Sequence, residues 1–323
     1  MGVTVSMSTA IEPSDEYVHE SGPDPRWQES WYFSWFDTAS SAAGLARIGY
    51  LPGSHEWNAG ALIVGSSGVR RLLVRSKQRG GPQDPRALTV GRLSFRMVEP
   101  LSSWRLVIDG RDGLDLTFTA LNGAFDFADG PAGSALLTGT ADRHFEQSGR
   151  VEGTVRVGGT TTLIRGYGQR DKSWGLRDWA GLQRWNWIPV LFDDDLALCA
   201  TRVTMDGITN VGGYIWRDGA NHPIRDLRVE PVWANRRVAS AVRVTATDMS
   251  GFTIETFGTA HAQAPLLVKG AMLQQSPSTW VATIGDRDYT GVGISDYLYH
   301  PGFCDRCAHI PRHLKLLTSL RRL

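Results

Sequence analysis

The sequence is poor in the features that most quickly assign a protein to a class. It has three cysteines in 323 residues, Cys199, Cys304 and Cys307, too few for a disulfide framework. No apolar run approaches the ~18 residues that a membrane-spanning helix needs. Neither sign of charge dominates, since 34 basic and 33 acidic residues leave a formal net charge of +1. The basic excess of a nucleic-acid-binding surface is therefore missing. The opening MGVTVSMSTAIEPSDEYVHE has neither the basic nor the apolar region of a secretory signal, although MGVTVS formally matches a myristoylation pattern. These absences predict a cytoplasmic chain with no nucleic-acid partner and no integral membrane span.

Several chemistries are also excluded as leading readings. No P-loop, dinucleotide-binding glycine fingerprint, G-x-S-x-G elbow or H-E-x-x-H helix occurs, which argues against nucleotide, dehydrogenase, serine-hydrolase and zinc-protease functions. Cys304 and Cys307 form CDRCAH with His309 close by, half of a zinc pattern. Without a second ligand pair at matching spacing, no metal site is expected. Cys199, in LALCATRV, reads as a small buried hydrophobe. FDDDLA, residues 192–197, has the composition of a diphosphate–magnesium motif but not its spacing, and reads as a solvated hairpin turn.

What is present is β-pattern. LDLTFTAL places Leu114, Leu116, Phe118 and Ala120 on one face with polar residues between, and LSFRMVE, AVRVTATD and GFTIETFG alternate likewise. Turn signals such as DGRDG, ADGPAG and MDGITN separate these runs, and the 36 glycines are spread as punctuation. An all-β sandwich or barrel is predicted. PRHLKLLTSLRRL at the end could form a short amphipathic helix, and the polar, Pro-containing residues 1–26 are expected to be flexible. A hairpin about Gly158-Gly159 suggests a boundary near residue 150, dividing the chain into 27–152, 153–303 and a tail at 304–323.

The densest functional signal is GYGQRDKSWGLRDWAGLQRWNW, Gly166 to Trp187, with four tryptophans, three arginines, one lysine and two aspartates. If this stretch is extended, alternation puts Asp171 and Ser173 on one face and Arg170, Lys172 and Trp174 on the other. A carboxylate facing an apolar cavity has its pKa raised by desolvation and can act as a general acid. A nearby Arg170 would oppose that shift, and Asp171 could equally be a structural ion-pair partner of Arg177. Trp174, Trp179, Trp185 and Trp187, with Tyr167, Trp35 and Trp216, could wall a cavity for a large apolar ligand or simply fill the core. His144 and Glu146 in RHFEQSG share a strand face, and Asp296 lies in GVGISDYLYHPG. Each could point into a cavity or decorate a strand end.

GYGQRDKSWGLRDW resembles the G-x-G-x-[RH]-D-[HK]-x-W-G signature of lipocalin-like proteins related to carotenoid 1,2-hydratase (hydroxyneurosporene synthase) and tocopherol cyclase. With HFEQSGRVEGTVRVGG, GVGISDY and ESWYFSWFD, the resemblance spans roughly residues 27–300 and matches an uncharacterised bacterial branch. It implies two lipocalin-like antiparallel β-barrels side by side with an apolar pocket near their junction. It further implies acid-initiated hydration or cyclisation of a hydrophobic, isoprenoid-like substrate, with no metal or organic cofactor. Asp171 would be the acid, Arg170 would tune or orient it, and the tryptophans would shape the pocket. The sequence departs from the hydratase pattern in flanking Asp171 with Arg170 and Lys172 where histidine is common. Two alternatives stand beside this reading. One is a carrier in which Arg170, Arg177 and Arg184 hold a ligand carboxylate, and the other is a shape-driven pericyclase.

Overall fold

A computed structural model describes residues 10–40, 42–64, 71–178, 181–235, 238–268, 271–304, 307, 310–311 and 320–322. The alternating segments form two antiparallel sheets. The first contains β1 (Trp27–Asp37), β2 (Ala43–Leu51), β3 (Glu56–Val64), β4 (Arg71–Arg79), β5 (Leu88–Val90), β6 (Leu93–Glu99), β7 (Ser103–Ile108) and β8 (Gly113–Ala120). The short β9 (Phe125–Asp126) and the long β10 (Arg143–Val157) and β11 (Thr160–Leu176) complete the run. Their order is β4-β3-β2-β1-β11-β10-β8-β7-β6-β5, with β9 beside β10. The amide of Gln78 on β4 donates to the Thr89 carbonyl of β5, so side chains link the two edges into a barrel.

The second sheet contains β12 (Leu182–Leu191), β13 (Ala197–Met205), β14 (Ile208–Arg217), β15 (Ala220–Asn235), β16 (Val238–Asp248), β17 (Thr253–Ala260), β18 (Ala264–Val268), β19 (Ala271–Ile284) and β20 (Arg287–Tyr299). Here the ring closes through backbone pairing of β17 with β19. The two sheets are lipocalin-like barrels standing side by side. The division falls between Leu176 and Leu182, later than the expected 152/153, because β11 pairs with β10 over residues 160–174 and with β1 over residues 166–176. The Gly158-Gly159 hairpin is thus internal to the first barrel.

At the C-terminus, Phe303, Cys304, Cys307, Ile310 and Pro311 are helical. The final strand β21 (Leu320–Arg322) adds parallel to β4, so part of the expected terminal helix is extended. Cys304 and Cys307 are free and exposed, while His309 lies outside the described residues. Among the described residues, no group of three or more His, Cys, Asp or Glu side chains could hold a metal ion. No described helix is long and apolar enough to cross a membrane.

Most of the tryptophans are core. Trp31, Trp35, Trp57 and Trp104 fill the first barrel with Phe33, Phe95 and Phe118, and Trp280 fills the second. This explains the high aromatic content by packing, because each indole buries a large apolar area. The described part of the N-terminal segment is packed and not loose. A 3-10 turn at Pro13–Glu16 carries Glu16 into the end of the first barrel, where it is fully buried. Its carboxylate accepts from Arg170 Nη2 at 2.7 Å, from Arg170 Nη1 at 3.1 Å and from the Leu101 amide at 2.9 Å. A second buried pair, Lys172 with Glu29, lies beside it, with the ammonium over the Trp31 and Trp174 rings. Burial lowers the Lys172 pKa, and Glu29 opposes that shift.

Removing one partner of such a pair strands the other charge. Glu16→Gln should therefore cost about 3–5 kcal/mol, read as a lower urea midpoint. An unchanged midpoint would show that the plug adds nothing to stability.

Candidate active site at the barrel junction

Both faces of β11 are covered over residues 168–175, and they face different things. Arg170, Lys172 and Trp174 point into the first barrel, whereas Asp171 and Ser173 point outward to where the second barrel covers the sheet. Strand pairing lines up the outer face in two rungs. The first is Arg47–Tyr32–Asp171–Glu146, from β2, β1, β11 and β10. The next is Gly49–Ser30–Ser173–His144. The second barrel presents a facing rung, Thr201–Trp187–Asp296–Gln275, from β13, β12, β20 and β19. Beside it lies an apolar rung, Val203–Trp185–Leu298–Leu273. Between these walls is a cavity of about 340 Å³, at the small end of the range for small-molecule sites. Phe127, Leu136 and Leu137, from the 3-10 turns between β9 and β10, close one side with apolar surface.

Glu146 is the most heavily bonded group. It accepts from Trp187 Nε1 at 2.9 and 3.1 Å, from Gln169 Nε2 at 2.8 Å and from Cys199 Sγ at 2.9 Å. His144 Nε2 sits 3.0 Å from Glu146 Oε1, the oxygen that Trp187 bonds at 2.9 Å, with the imidazole stacked on Phe127. Burial alone would lower the His144 pKa, but the hydrogen bond to Glu146 and the charge of Asp171 outweigh it and the net shift is upward. Cys199 is thus buried as expected, and its thiol pKa is pushed well up by burial and by Glu146.

Two further carboxyls behave as acids reluctant to ionise. Asp171 has its pKa raised, chiefly by burial and also by Glu146, against the opposing charges of His144, Arg177 and Arg47. Asp296 is raised to about 8 by burial, with only a Gln275 hydrogen bond at 3.1 Å acting the other way. Asp296 Oδ1, Gln275 Oε1 and Thr201 Oγ1 are buried and make no hydrogen bond within the protein. Tyr32 packs edge-on against Trp187. Burial and the nearby Asp296 and Asp171 drive its phenol pKa well up.

The expected site residues therefore separate into two groups. Asp171, His144, Glu146, Asp296, Trp185 and Trp187 line the cavity. Arg170 does not. It is bonded to Glu16 and to Gln147 Oε1 at 2.9 Å, and lies over Trp104 and Phe145 inside the first barrel, because adjacent strand residues point to opposite faces. Trp174 stacks on His19 at 3.9 Å, and Trp35 is first-barrel core. Tyr167 and Trp216 meet elsewhere, on Asp194 of the FDDDLA turn, through a hydroxyl at 3.3 Å and an indole N–H at 2.9 Å. Trp179 lies outside the described residues. Gly175 of the signature has φ +117°, and a Cβ there would meet Asp142 at 2.3 Å, so the W-G pair shapes the end of β11.

Sequence reasoning missed Tyr32, Arg47, Thr201 and Gln275. Only their strand alternation could have signalled them, and alternation does not say which outward face is covered. It also left Asp171 without a histidine, whereas β10 supplies His144 on the neighbouring rung.

Two closed antiparallel barrels with a mixed-polarity cavity across their junction define a lipocalin-like fold. The chain belongs to the family described as "Domain of unknown function (DUF7064)", matched over residues 12–301. Comparison with curated proteins finds no match. Among solved structures, the chain is similar to an AttH-like protein from Nitrosomonas europaea, with 16% identity and a TM-score of 0.67 over 91% of this chain and 98% of that one. It is similar to kievitone hydratase from Nectria haematococca, with 14% identity and a TM-score of 0.61 over 91% and 94%. It is also similar to CghA in complex with Sch210972, with 16% identity and a TM-score of 0.62 over 85% and 89%. At these identities the likeness is one of fold.

The raised Asp296 pKa has a stability consequence. Unfolded, this carboxyl loses its proton near 3.8; folded, it holds it to about 8. Between those values the folded state binds more protons, so rising pH favours unfolding. Asp296→Asn should flatten the decline in melting temperature between about pH 4 and pH 8. Parallel melting curves for the two proteins across that range would rule out a buried, protonated Asp296.

Proposed function

We propose that this chain is a cofactor-independent enzyme that protonates a carbon–carbon double bond of a hydrophobic, isoprenoid-like substrate in the junction cavity, giving hydration or cyclisation. The observation that supports this best is Asp171 itself. It faces a cavity lined by Trp185, Trp187, Phe127 and Leu136, and its carboxyl is held toward the protonated form by burial. Arg170, the neighbour that would have quenched it, is turned into the first barrel and neutralised by Glu16.

In the step envisaged, the π electrons of the alkene take the Asp171 proton to form a C–H bond, leaving a carbocation and a carboxylate. Trp187 and Tyr32 present aromatic surface to that cation. Water then forms the C–O bond and returns a proton to Asp171, giving an alcohol; attack by a second double bond followed by proton loss gives a ring. His144, in the rung next to Asp171, is placed to hold the carboxylate between turns. Kievitone hydratase, which shares the fold, carries a hydration in its name, and CghA was solved with the compound Sch210972. Both fit a reading in which the junction of the two barrels acts on small molecules.

Incubating the protein with a panel of terpenoids and following product mass distinguishes hydration, which gains one water, from cyclisation, which leaves mass unchanged. Asp171→Asn should lower turnover by about 10²–10⁴-fold while ligand binding persists. Full turnover in that variant would remove Asp171 as the acid and favour catalysis by cavity shape.

A further inference from the structure

The part-buried guanidinium of Arg47 has a pairing problem that a neutral substrate would leave unsolved. Arg47 lies at the end of the Arg47–Tyr32–Asp171–Glu146 rung. Its Nε donates to Ser30 Oγ at 2.8 Å and its Nη1 to Asn58 Oδ1 at 2.7 Å, both neutral acceptors. The guanidinium lies flat over Gly49, where a Cβ would meet it at 2.5 Å, so the glycine leaves room for it. Arg177 comes to the same cavity from just beyond β11 and donates from Nη2 to Ser173 Oγ at 2.5 Å. Burial, and next the like charge of Arg47, lower the Arg177 pKa to about 9. The two cations therefore feel each other.

The carboxylates near Arg47 do not balance its charge. Glu146 is engaged by Trp187, Gln169, Cys199 and His144. Asp296 stands on the opposite wall and holds its proton to about 8. That leaves Asp171, whose charge both arginines share and which must be protonated to act as the acid proposed above. A cation drawn partly out of water without a full counter-charge is costly, and a fork of N–H donors matches a carboxylate.

Resting on that reading of the cavity, the geometry points to a substrate that is a hydrophobic acid. Its carboxylate, or an equally charged oxygen, sits against Arg47 on the side that Arg177 also approaches, and its apolar body lies along Trp187, Phe127 and Leu136. The bound anion then supplies the counter-charge that Asp171 would otherwise provide, leaving Asp171 free to carry its proton. Neutral hydrocarbon isoprenoids meet only half of this cavity.

Geranic acid, geraniol and methyl geranoate share one ten-carbon isoprenoid body and differ only in the head group, so titration calorimetry with the full chain isolates the acid. The acid is expected to bind at least about tenfold tighter than the alcohol and the ester, the usual scale of a charge-assisted hydrogen bond. Arg47→Gln should remove most of that preference while retaining geraniol binding, which also reports that the variant is folded. If the variant fails to fold, the wild-type protein still decides: geranic-acid affinity should fall with added salt while geraniol affinity does not, and parallel salt dependences would count against the ion pair. Equal affinity of the three compounds for the wild-type protein overturns the acid preference and leaves the apolar cavity standing. Binding of none of them overturns the cavity reading itself.

Discussion

The second half of strand β11, residues 168–175, is covered on both of its faces, and the candidate site is arranged around that constraint. A strand with solvent on one side can place its charges there; this one cannot. Its inward charges, Arg170 and Lys172, are matched inside the first barrel by Glu16 and Glu29. Its outward groups, Asp171 and Ser173, are covered by the second barrel. The buried ion pairs and the candidate active site are therefore two sides of one sheet, separated by a single backbone.

This arrangement explains how a strongly charged segment can host an acid. In sequence, Asp171 sits between two cations that would hold it ionised. In the fold, those cations are on the far side of the strand and already paired, and the groups around Asp171 come from β1, β2 and β10. The second barrel contributes little to the charge of the cavity and much of its cover. Trp185, Trp187 and Leu273 form its apolar part, while Asp296, Gln275 and Thr201 offer polar atoms with no partner in the protein. Burial under this wall raises the carboxyl pKa values and also increases the cost of leaving Arg47 incompletely balanced.

Much of the fold was legible. Alternation in LDLTFTAL and its companions and the Gly/Asp turns between them specify antiparallel strands, and the two-residue period by itself puts Asp171 and Arg170 on opposite faces. His144, Glu146 and Asp296 were legible as candidates because ionisable residues in apolar strands need a reason to be there. The tryptophans misled, because an indole that fills a barrel and one that lines a cavity look alike in sequence. The N-terminal segment misled too: Glu16 looks like one acidic residue among several, and only its contact with Arg170, 154 positions away, reveals its use.

The sequence by itself determined the local geometry: which segments are strands, where they turn, and which side chains share a face. Those follow from backbone sterics and from the short range of alternation and turn preferences. Tertiary structure alone decided which faces look inward, which are covered by the second barrel, and which strands are neighbours. Register carried Arg47, Tyr32, Asp171 and Glu146 into one row although they are scattered between positions 32 and 171 of the chain, and barrel closure set that row opposite Asp296. Pairing of this kind is set by the summed burial of the whole molecule, and no local stretch contains it.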